Sequence, residues 1–134
     1  MNNQECNETS ISKLLNFILN LQKKANIIDD NINGCDKPCL GPTINTGYNT
    51  RPINLYSCCN GTLWTMPYTL NGETNDSTVF KVTKVDSNCA TFEILAPNPD
   101  TTNPLIPYIS TNNFFTIDLK CVLALKCLAD TYTN

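Results

Sequence analysis

Apolar residues near the start of the chain recur at steps of three and four, which is the spacing of one face of an α-helix. The pattern predicts a helix over residues 9–33, with Thr9 or Ser10 as its N-cap and Gly34 as the residue that ends it. The apolar face consists of Ile11, Leu14, Leu15, Ile18, Leu21, Ala25, Ile28 and Ile32. Polar and basic residues of the same segment occupy the opposite face, so the helix is amphipathic.

After the helix, glycines and prolines break the period over residues 34–52, and short alternating segments follow. These segments predict strands over residues 51–57, 62–68, 78–85, 89–96, 113–120 and 121–129. The third and fourth predict a hairpin closed at Asp86-Ser87, in which Phe80 and Val82 share a face with Phe92 and Ile94. The last two segments are predicted to pair, with Leu119, Cys121, Leu123, Leu125 and Cys127 on one side.

This order of elements predicts a mostly-β fold. Recurring strand-like segments with turn signals between them are typical of antiparallel sandwiches and barrels, and no second helical pattern separates the strands. We expect a single antiparallel β-sandwich or barrel-like domain preceded by one N-terminal amphipathic helix. In this organisation residues 1–8 are a flexible N-terminal tail, residues 9–33 the helix, and residues 34–134 a cysteine-containing β domain.

The charge of the chain excludes several classes of partner. The net charge is −3 and only 16% of the residues are charged, without the basic stripe that nucleic-acid binding requires. No apolar run is long enough to span a bilayer. The chain instead contains 20 Asn and 17 Thr. Low charge with many amides and hydroxyls favours packing of the protein against its own copies, because little self-repulsion opposes association.

Catalytic residue types are scarce. The chain has no histidine, which excludes serine–histidine and cysteine–histidine nucleophile systems. Asp29-Asp30 is the only adjacent carboxylate pair, and its place near a helix end is more typical of a solvated face than of an acid–base pair. No glycine-rich phosphate loop is present. We therefore expect no enzyme activity and no cofactor.

The eight cysteines are the candidate chemistry: Cys6, Cys35, Cys39, Cys58, Cys59, Cys89, Cys121 and Cys127. One alternative is a zinc site made of Cys35, Cys39, Cys58 and Cys59, although adjacent cysteines rarely chelate one metal well. Redox catalysis would need a Cys-x-x-Cys motif, which the chain lacks. Structural disulfides, within or between chains, are the favoured interpretation, and we expect no bound metal.

The cysteines differ in their predicted surroundings. Cys89, Cys121 and Cys127 lie in strand patterns, where a free thiol buried in the core is as well supported as a disulfide. Cys6 precedes the helix on the predicted tail, so a bond to a neighbouring chain is at least as well supported as internal closure. Cys58 and Cys59 are adjacent and cannot easily bond each other. The sequence therefore leaves the pairing open.

The first residues, MNNQECNETS, lack the basic region, apolar core and cleavage site of a signal peptide. Many cysteines and no leader are an unusual combination, since disulfides persist in oxidising compartments. Either a leader has been removed, or the protein is made in a reducing cytosol and meets an oxidant later.

Three segments carry a resemblance to a known family. They are NTRPINLY at 49–56, VFKVTKVDSNCATFEIL at 79–95 and STNNFFTIDLKCVLALKCL at 110–128. Together with the N-terminal helix and the Cys-x-x-x-Cys region, they resemble the spore coat protein Y/Z family, which includes exosporium assembly proteins of endospore-forming bacilli and clostridia. The likeness covers most of residues 10–129 in the same order.

The resemblance implies a non-catalytic shell protein that self-assembles into a two-dimensional lattice, through hexameric units, and is hardened by interchain disulfides. It implies synthesis in the mother-cell cytoplasm without export, a place in the coat or exosporium, and other coat proteins as partners. The cysteines that match by position are Cys35, Cys39, Cys89, Cys121 and Cys127. An alternative from another class is a secreted disulfide-rich β-sandwich that binds a ligand and has lost its leader.

Overall fold

The computed structural model describes residues 10–31, 48–104 and 106–133. A helix, α1 (Ser10–Asn31), comes first. The strands in the described ranges are β1 (Ile53–Ser57), β2 (Met66–Leu70), β3 (Glu73–Ser77), β4 (Val79–Val85), β5 (Cys89–Pro97), β6 (Tyr108–Asp118) and β7 (Val122–Cys127). A 3-10 helix, Leu119–Cys121, joins β6 to β7. The predicted tail, residues 1–8, and the predicted helix end at Gly34 lie outside the described residues.

Five strands form one antiparallel sheet in the order β6-β5-β4-β1-β7, and β2 and β3 form a separate hairpin. The predicted pairing of β4 with β5 is confirmed, since Phe80 lies opposite Ile94 and Val82 opposite Phe92. The predicted fold class is also confirmed: the protein is mostly β, its sheets are antiparallel, and the helix precedes them. The sheet does not close into a barrel.

The large sheet is bent rather than flat. β1 pairs with β4 only at Ile53 and Phe80, while its pairing with β7 continues along the whole strand. β6 and β7 are opposite edges of the sheet, yet only the 3-10 helix joins them. Even fully extended, the chain from Asp118 to Val122 could reach no more than about 15 Å, whereas four strand spacings in a flat sheet are about 19 Å. The two edges therefore approach each other at this end.

The predicted pairing of the last two segments is wrong. The strands lie at opposite edges of the sheet because the 3-10 helix turns the chain between them. The carboxylate of Asp118 begins that turn by accepting a hydrogen bond from the backbone N–H of Lys120 at 2.9 Å. The turn also shifts the alternation, so Leu119 and Val122 are buried while Leu123 is 61% exposed.

The β2–β3 hairpin was not predicted. Its turn is Asn71-Gly72, and both residues have positive φ, 56° and 82°. Two positive φ values at the central positions define the type I′ turn, which matches the twist of paired strands. β3 consists of polar residues that are exposed apart from Ser77, so no apolar alternation marks it. The Asn-Gly pair was the available signal, and β2 lies a few residues later than the predicted strand over 62–68.

The helix packs on the sheet with a narrower face than predicted. Leu15, Ile18 and Leu19 are buried, whereas Leu14 and Leu21 are 40% and 36% exposed. The helix contacts β4 most extensively and β7 less so. Two polar residues, Ser12 and Gln22, take buried positions on the contact face.

The core is centred on β4 and β5. The rings of Phe80 and Phe115 meet edge to face at a centroid distance of 4.9 Å, and those of Phe92 and Phe115 stack at 5.4 Å. These geometries are the favourable ones for aromatic pairs. Leu15 and Ile18 of α1 join the same cluster, so the helix covers one face of the sheet.

Candidate cross-linking site

Of the eight predicted cross-linking cysteines, those in the described ranges are all free thiols: Cys58, Cys59, Cys89, Cys121 and Cys127. Cys6, Cys35 and Cys39 lie outside the described residues. The zinc alternative requires two of these three, Cys35 and Cys39, and stays a prediction. The described thiols occupy four places in the fold: the turn after β1, the start of β5, the 3-10 helix that precedes β7, and the last residue of β7.

Cys58 and Cys59 lie in the turn that follows β1, and both are exposed. Ser57 builds this turn. Its hydroxyl accepts the backbone N–H of Cys59 at 3.1 Å, and its carbonyl accepts the N–H of Gly61 at 2.8 Å. Gly61 has a φ of 70°, a left-handed conformation that favours glycine. The turn thus presents two neighbouring thiols to solvent.

The turn after β1 contacts the 3-10 helix, so Cys121 lies near Cys58 and Cys59. The backbone N–H of Cys58 donates to the carbonyl of Cys121 at 2.8 Å. Desolvation raises the pKa of the Cys58 thiol, and the neighbouring thiols of Cys59 and Cys121 raise it further. Because the thiolate is the reactive form, Cys58 is a weaker nucleophile at neutral pH than an ordinary surface cysteine.

Cys127 ends β7 opposite Ile53. The chain beyond it is held to the start of β1, where Arg51 donates two hydrogen bonds to the carboxylate of Asp130 at 2.7 and 3.0 Å. The hydrogen bond that Arg51 donates to Asp130 raises the pKa of Arg51. Cys121 directly precedes β7 and Cys127 is its last residue, and a strand of six residues is about 20 Å long. The two thiols therefore mark opposite ends of one strand.

The interpretation of buried core thiols is wrong for Cys121 and Cys127, because both are exposed. Cys121 is exposed because the 3-10 helix interrupts the alternation of buried and exposed residues. Cys127 lies on an edge strand, where an alternating pattern does not imply burial. Cys89 is half-buried and pairs with Asp118 at the start of β5.

A second polar cluster lies inside the sheet and serves the fold. Glu93, which is buried, accepts hydrogen bonds from the hydroxyl of Ser110 and from the backbone N–H of Asn112. Lys81 lies opposite Glu93 on β4, and its ammonium donates to the hydroxyl of Thr133 at 3.4 Å. Burial lowers the pKa of Lys81, and the charge of Glu93 opposes that shift. Each of these groups is engaged by its neighbours in the fold.

A shallow cleft between α1 and the start of β1 is lined by Leu21, Gln22, Tyr48, Asn49, Thr50, Arg51 and Asp130. Its two charged side chains bind each other, which leaves little charge for a ligand. In the part of the chain that the structure describes, no three Cys, Asp or Glu residues gather closely enough to hold a metal ion. No helix in that part is long and apolar enough to cross a membrane.

The comparison with known families assigns the chain to one of them. The sequence pattern of the family described as spore coat protein Z matches residues 1–106, which is most of its length. The chain belongs to the spore coat protein Z family. The family supports a structural role in the spore coat and a location in a surface layer of the spore. No curated protein and no solved structure matches the chain.

The spore coat protein Z match covers six of the predicted cross-linking cysteines and ends before β6, so Cys121 and Cys127 lie beyond it. Sequence reasoning missed that Cys58 and Cys121 are neighbours. They are far apart along the chain, and the contact exists only because β1 pairs with β7. No local pattern could have revealed it.

Proposed function

We propose that the protein is a subunit that assembles with its own copies into a two-dimensional lattice of hexameric units, which interchain disulfides then harden. Its place is the coat or exosporium of the spore, with other proteins of those layers as partners. It is made in the mother-cell cytoplasm, and its role is structural rather than catalytic.

The observation that carries the proposal is the exposure of the thiols. Cys58, Cys59, Cys121 and Cys127 are exposed and free in a protein whose described core contains none of them. A disulfide that only stabilised the monomer would join two sulfurs inside the fold. Surface thiols at several separate places are instead suited to bonds between chains.

The chemistry of hardening needs an oxidant. Each new S–S bond forms from two thiols, which lose two protons and two electrons, and a small disulfide that accepts them becomes two thiols. In a reducing cytosol the subunits keep their thiols and can find their positions in the lattice. Oxidation follows when the mother cell lyses and its contents meet an oxidising medium.

The charge of the chain supports close packing of copies. The net charge of −3 over 134 residues produces little repulsion between identical subunits. Weak contacts between subunits hold an assembly together firmly when many of them form at once. Disulfides then make the assembled sheet covalent.

Electron microscopy of the full chain tests the lattice. Protein expressed in a reducing cytosol is expected to form ordered sheets, and exposure to oxidised glutathione is expected to make them resist boiling without reductant. Monomers under both reducing and oxidising conditions would contradict the proposal.

Gel electrophoresis without reductant tests the cross-links. The wild type is expected to give a ladder of high-mass species that reductant removes. Cys6→Ser is expected to weaken that ladder, because Cys6 lies ahead of the helix on the predicted tail. Cys89→Ser, at a half-buried position, is the control. An unchanged ladder in Cys6→Ser would assign the bonds to the other candidates, which are Cys35, Cys39, Cys58, Cys59, Cys121 and Cys127.

A further inference from the structure

The turn after β1 and the 3-10 helix hold two cysteines opposite each other. The β-bulge at Tyr56 and Ser57 comes before this point, and the two chains are in register again where Ser57 lies opposite Val122. The next pair in the same register is Cys58 with Cys121. A hydrogen bond confirms it, since the backbone N–H of Cys58 donates to the carbonyl of Cys121 at 2.8 Å. The pairing of the two segments therefore continues one residue beyond the end of β1.

This hydrogen bond limits the distance between the two cysteines. A backbone nitrogen lies about 1.5 Å from its own Cα, and a carbonyl oxygen lies about 2.4 Å from the Cα of its residue. With the nitrogen of Cys58 2.8 Å from the oxygen of Cys121, the two Cα atoms can be no more than about 6.7 Å apart. Disulfides join residues whose Cα atoms are about 4.4–6.8 Å apart. A disulfide can therefore bridge the two cysteines without a movement of the backbone.

The two thiols lie on the same side of the sheet. Opposed residues of an antiparallel pair face one side, and the next pair along the strands faces the other. Val122 is buried on the core side, and both Cys58 and Cys121 are exposed, as this alternation requires. Besides desolvation and the neighbouring Cys59, the thiol of Cys121 raises the pKa of the Cys58 thiol. The two sulfur atoms are therefore within electrostatic reach of each other.

The other described thiols are less suited to bond either of these two. Cys59 is adjacent to Cys58, and a disulfide between neighbours in sequence closes a small, strained ring. Cys127 is the last residue of β7, a strand about 20 Å long. Cys89 is half-buried at the start of β5 and lies opposite β6 rather than the 3-10 helix. Among the described cysteines, Cys58 and Cys121 are the pair placed for a bond within one chain.

We propose that Cys58 and Cys121 form a disulfide within one subunit when the protein meets an oxidant, and that Cys59 stays available for a bond to a neighbouring chain. One of the two thiolates attacks a small disulfide and releases its first thiol, and the other thiolate then attacks the mixed disulfide and releases the second. Two protein thiols thus lose two protons and two electrons, one S–S bond forms, and one small disulfide is reduced to two thiols. The bond needs no neighbour, and only its consequence for cross-linking rests on the proposed self-assembly.

The internal bond decides which thiols remain for cross-links. Two thiols of one subunit meet at a high effective concentration, whereas a bond between chains must wait until the neighbour has docked. Cys58 and Cys121 therefore close first, which leaves Cys59 and Cys127 as the exposed thiols of the described ranges that bond other chains. The bond also closes a loop that contains β2 to β6, and such a loop restricts the unfolded chain. The oxidised subunit is thus harder to unfold.

Full-length variants with two cysteines test the bond. One variant keeps Cys58 and Cys121 and has serine at the other six cysteine positions. Its matched control keeps Cys59 and Cys121 instead, so one thiol moves by one residue within the same turn. Each protein, at low concentration, is equilibrated with mixtures of reduced and oxidised glutathione, its open thiols are alkylated, and its intact mass is measured. We expect the first variant to close within the chain at a several-fold lower ratio of oxidised to reduced glutathione than the control requires.

Peptide mapping of the wild type tests the bond without these variants. Copies labelled with light and with heavy nitrogen are mixed, oxidised with oxidised glutathione and digested with trypsin without reductant. Cleavage after Lys120 and Lys126 yields CVLALK, while Cys58 and Cys59 lie in the peptide that ends at Lys81. We expect these two peptides to be linked in pure-isotope pairs only. The link should persist in Cys59→Ser and disappear in Cys58→Ser.

The outcomes separate this bond from the proposed function. Mixed-isotope pairs, a link from CVLALK to Cys89, or open thiols in the folded first variant would each overturn the internal bond. Ordered sheets in the electron microscope without the bond would also overturn it and leave the lattice standing. The bond in a protein that forms no sheets under any condition would support it and overturn the lattice. Oxidation should raise the midpoint of urea unfolding of the first variant, and an unchanged midpoint would count against the bond.

Discussion

Gln22 shows how one side chain can complete a sheet. Its amide nitrogen donates to the carbonyl of Val82 at 3.0 Å, and its amide oxygen accepts the backbone N–H of Arg51 at 3.0 Å. These two backbone groups lie where β1 and β4 stop pairing, so they lack each other as partners. A glutamine has one donor group and one acceptor in the right places. The helix therefore supplies the hydrogen bonds that the bent sheet omits.

Gln22→Leu is expected to destabilise the reduced protein by about 2–4 kcal/mol, because each unsatisfied backbone group costs about 1–3 kcal/mol. Gln22→Glu is expected to lie between the wild type and Gln22→Leu, since it keeps the acceptor for Arg51 and loses the donor for Val82. Urea unfolding followed by circular dichroism measures both. Asn20→Leu, on the exposed face of the same helix, is the control and should change stability by less than about 0.5 kcal/mol. Equal effects of Gln22→Leu and Asn20→Leu would contradict the bridging role.

At the scale of elements, turns decide where the strands lie. The type I′ turn at Asn71-Gly72 allows a strand made of polar residues, β3, to pair along its whole length with β2. The side chain of Asn113 on β6 then holds the hairpin through two hydrogen bonds to the backbone of Thr69, at 3.3 and 3.0 Å. The turn at Asn71-Gly72 brings two strands together, whereas the 3-10 helix connects two strands, β6 and β7, that lie at opposite edges of the sheet.

Gly72→Ala is expected to loosen the β2–β3 hairpin. Gly72 has a φ of 82°, and a residue with a Cβ in this conformation costs about 1–2 kcal/mol. No atom lies within 4 Å of the added carbon, so the effect comes from the backbone alone. We expect faster amide hydrogen exchange in β2 and β3, and hydrogen-exchange measurements on both strands test this prediction. Asn71→Gly, at the other positive φ of the same turn, should not speed the exchange, and unchanged exchange in Gly72→Ala would refute the turn assignment.

For the whole molecule, the fold does not depend on the proposed cross-links. The core consists of buried apolar side chains from α1, β1, β2, β4, β5, the 3-10 helix and β7, with partly buried ones from β6 packed against them, and no disulfide contributes to the described part of it. A chain of this length buries roughly two-thirds of its unfolded surface, which is enough for a stable core without disulfide bonds. The subunit can therefore fold while reduced, which the proposed order of assembly before oxidation requires.

Replacing Cys58, Cys59, Cys121 and Cys127 together by serine is expected to leave a subunit that still folds and unfolds cooperatively. Exposed substitutions of this kind change stability by about 0.5 kcal/mol or less each. Cys89→Ser should cost more, about 1 kcal/mol, because Cys89 is half-buried in β5. Urea unfolding under reducing conditions measures the difference. If the fourfold variant failed to fold, the fold would depend on these thiols.

Much of the fold could be predicted from local patterns. The helix and the β4–β5 hairpin follow from periodicity, because each buries one face against a single neighbour. The β2–β3 hairpin depends on turn geometry rather than on apolar alternation, and only the Asn-Gly pair indicates it. The edge position of β7 depends on strand order, which no segment encodes by itself. For the same reason the contact between Cys58 and Cys121 could not be predicted.

Four properties can be read from the order of the amino acids alone: the mostly-β class, the N-terminal helix, the scarcity of catalytic groups and the family to which the chain belongs. The first three follow from composition and local periodicity, and the family follows from the match of the sequence to the family pattern; all of these are the same in every conformation of the chain. The folded structure is needed to know which apolar positions stay exposed, which thiols reach the surface and which strands form the edges of the sheet. Those properties depend on contacts between residues distant in sequence, and such contacts exist only once the sheet has formed.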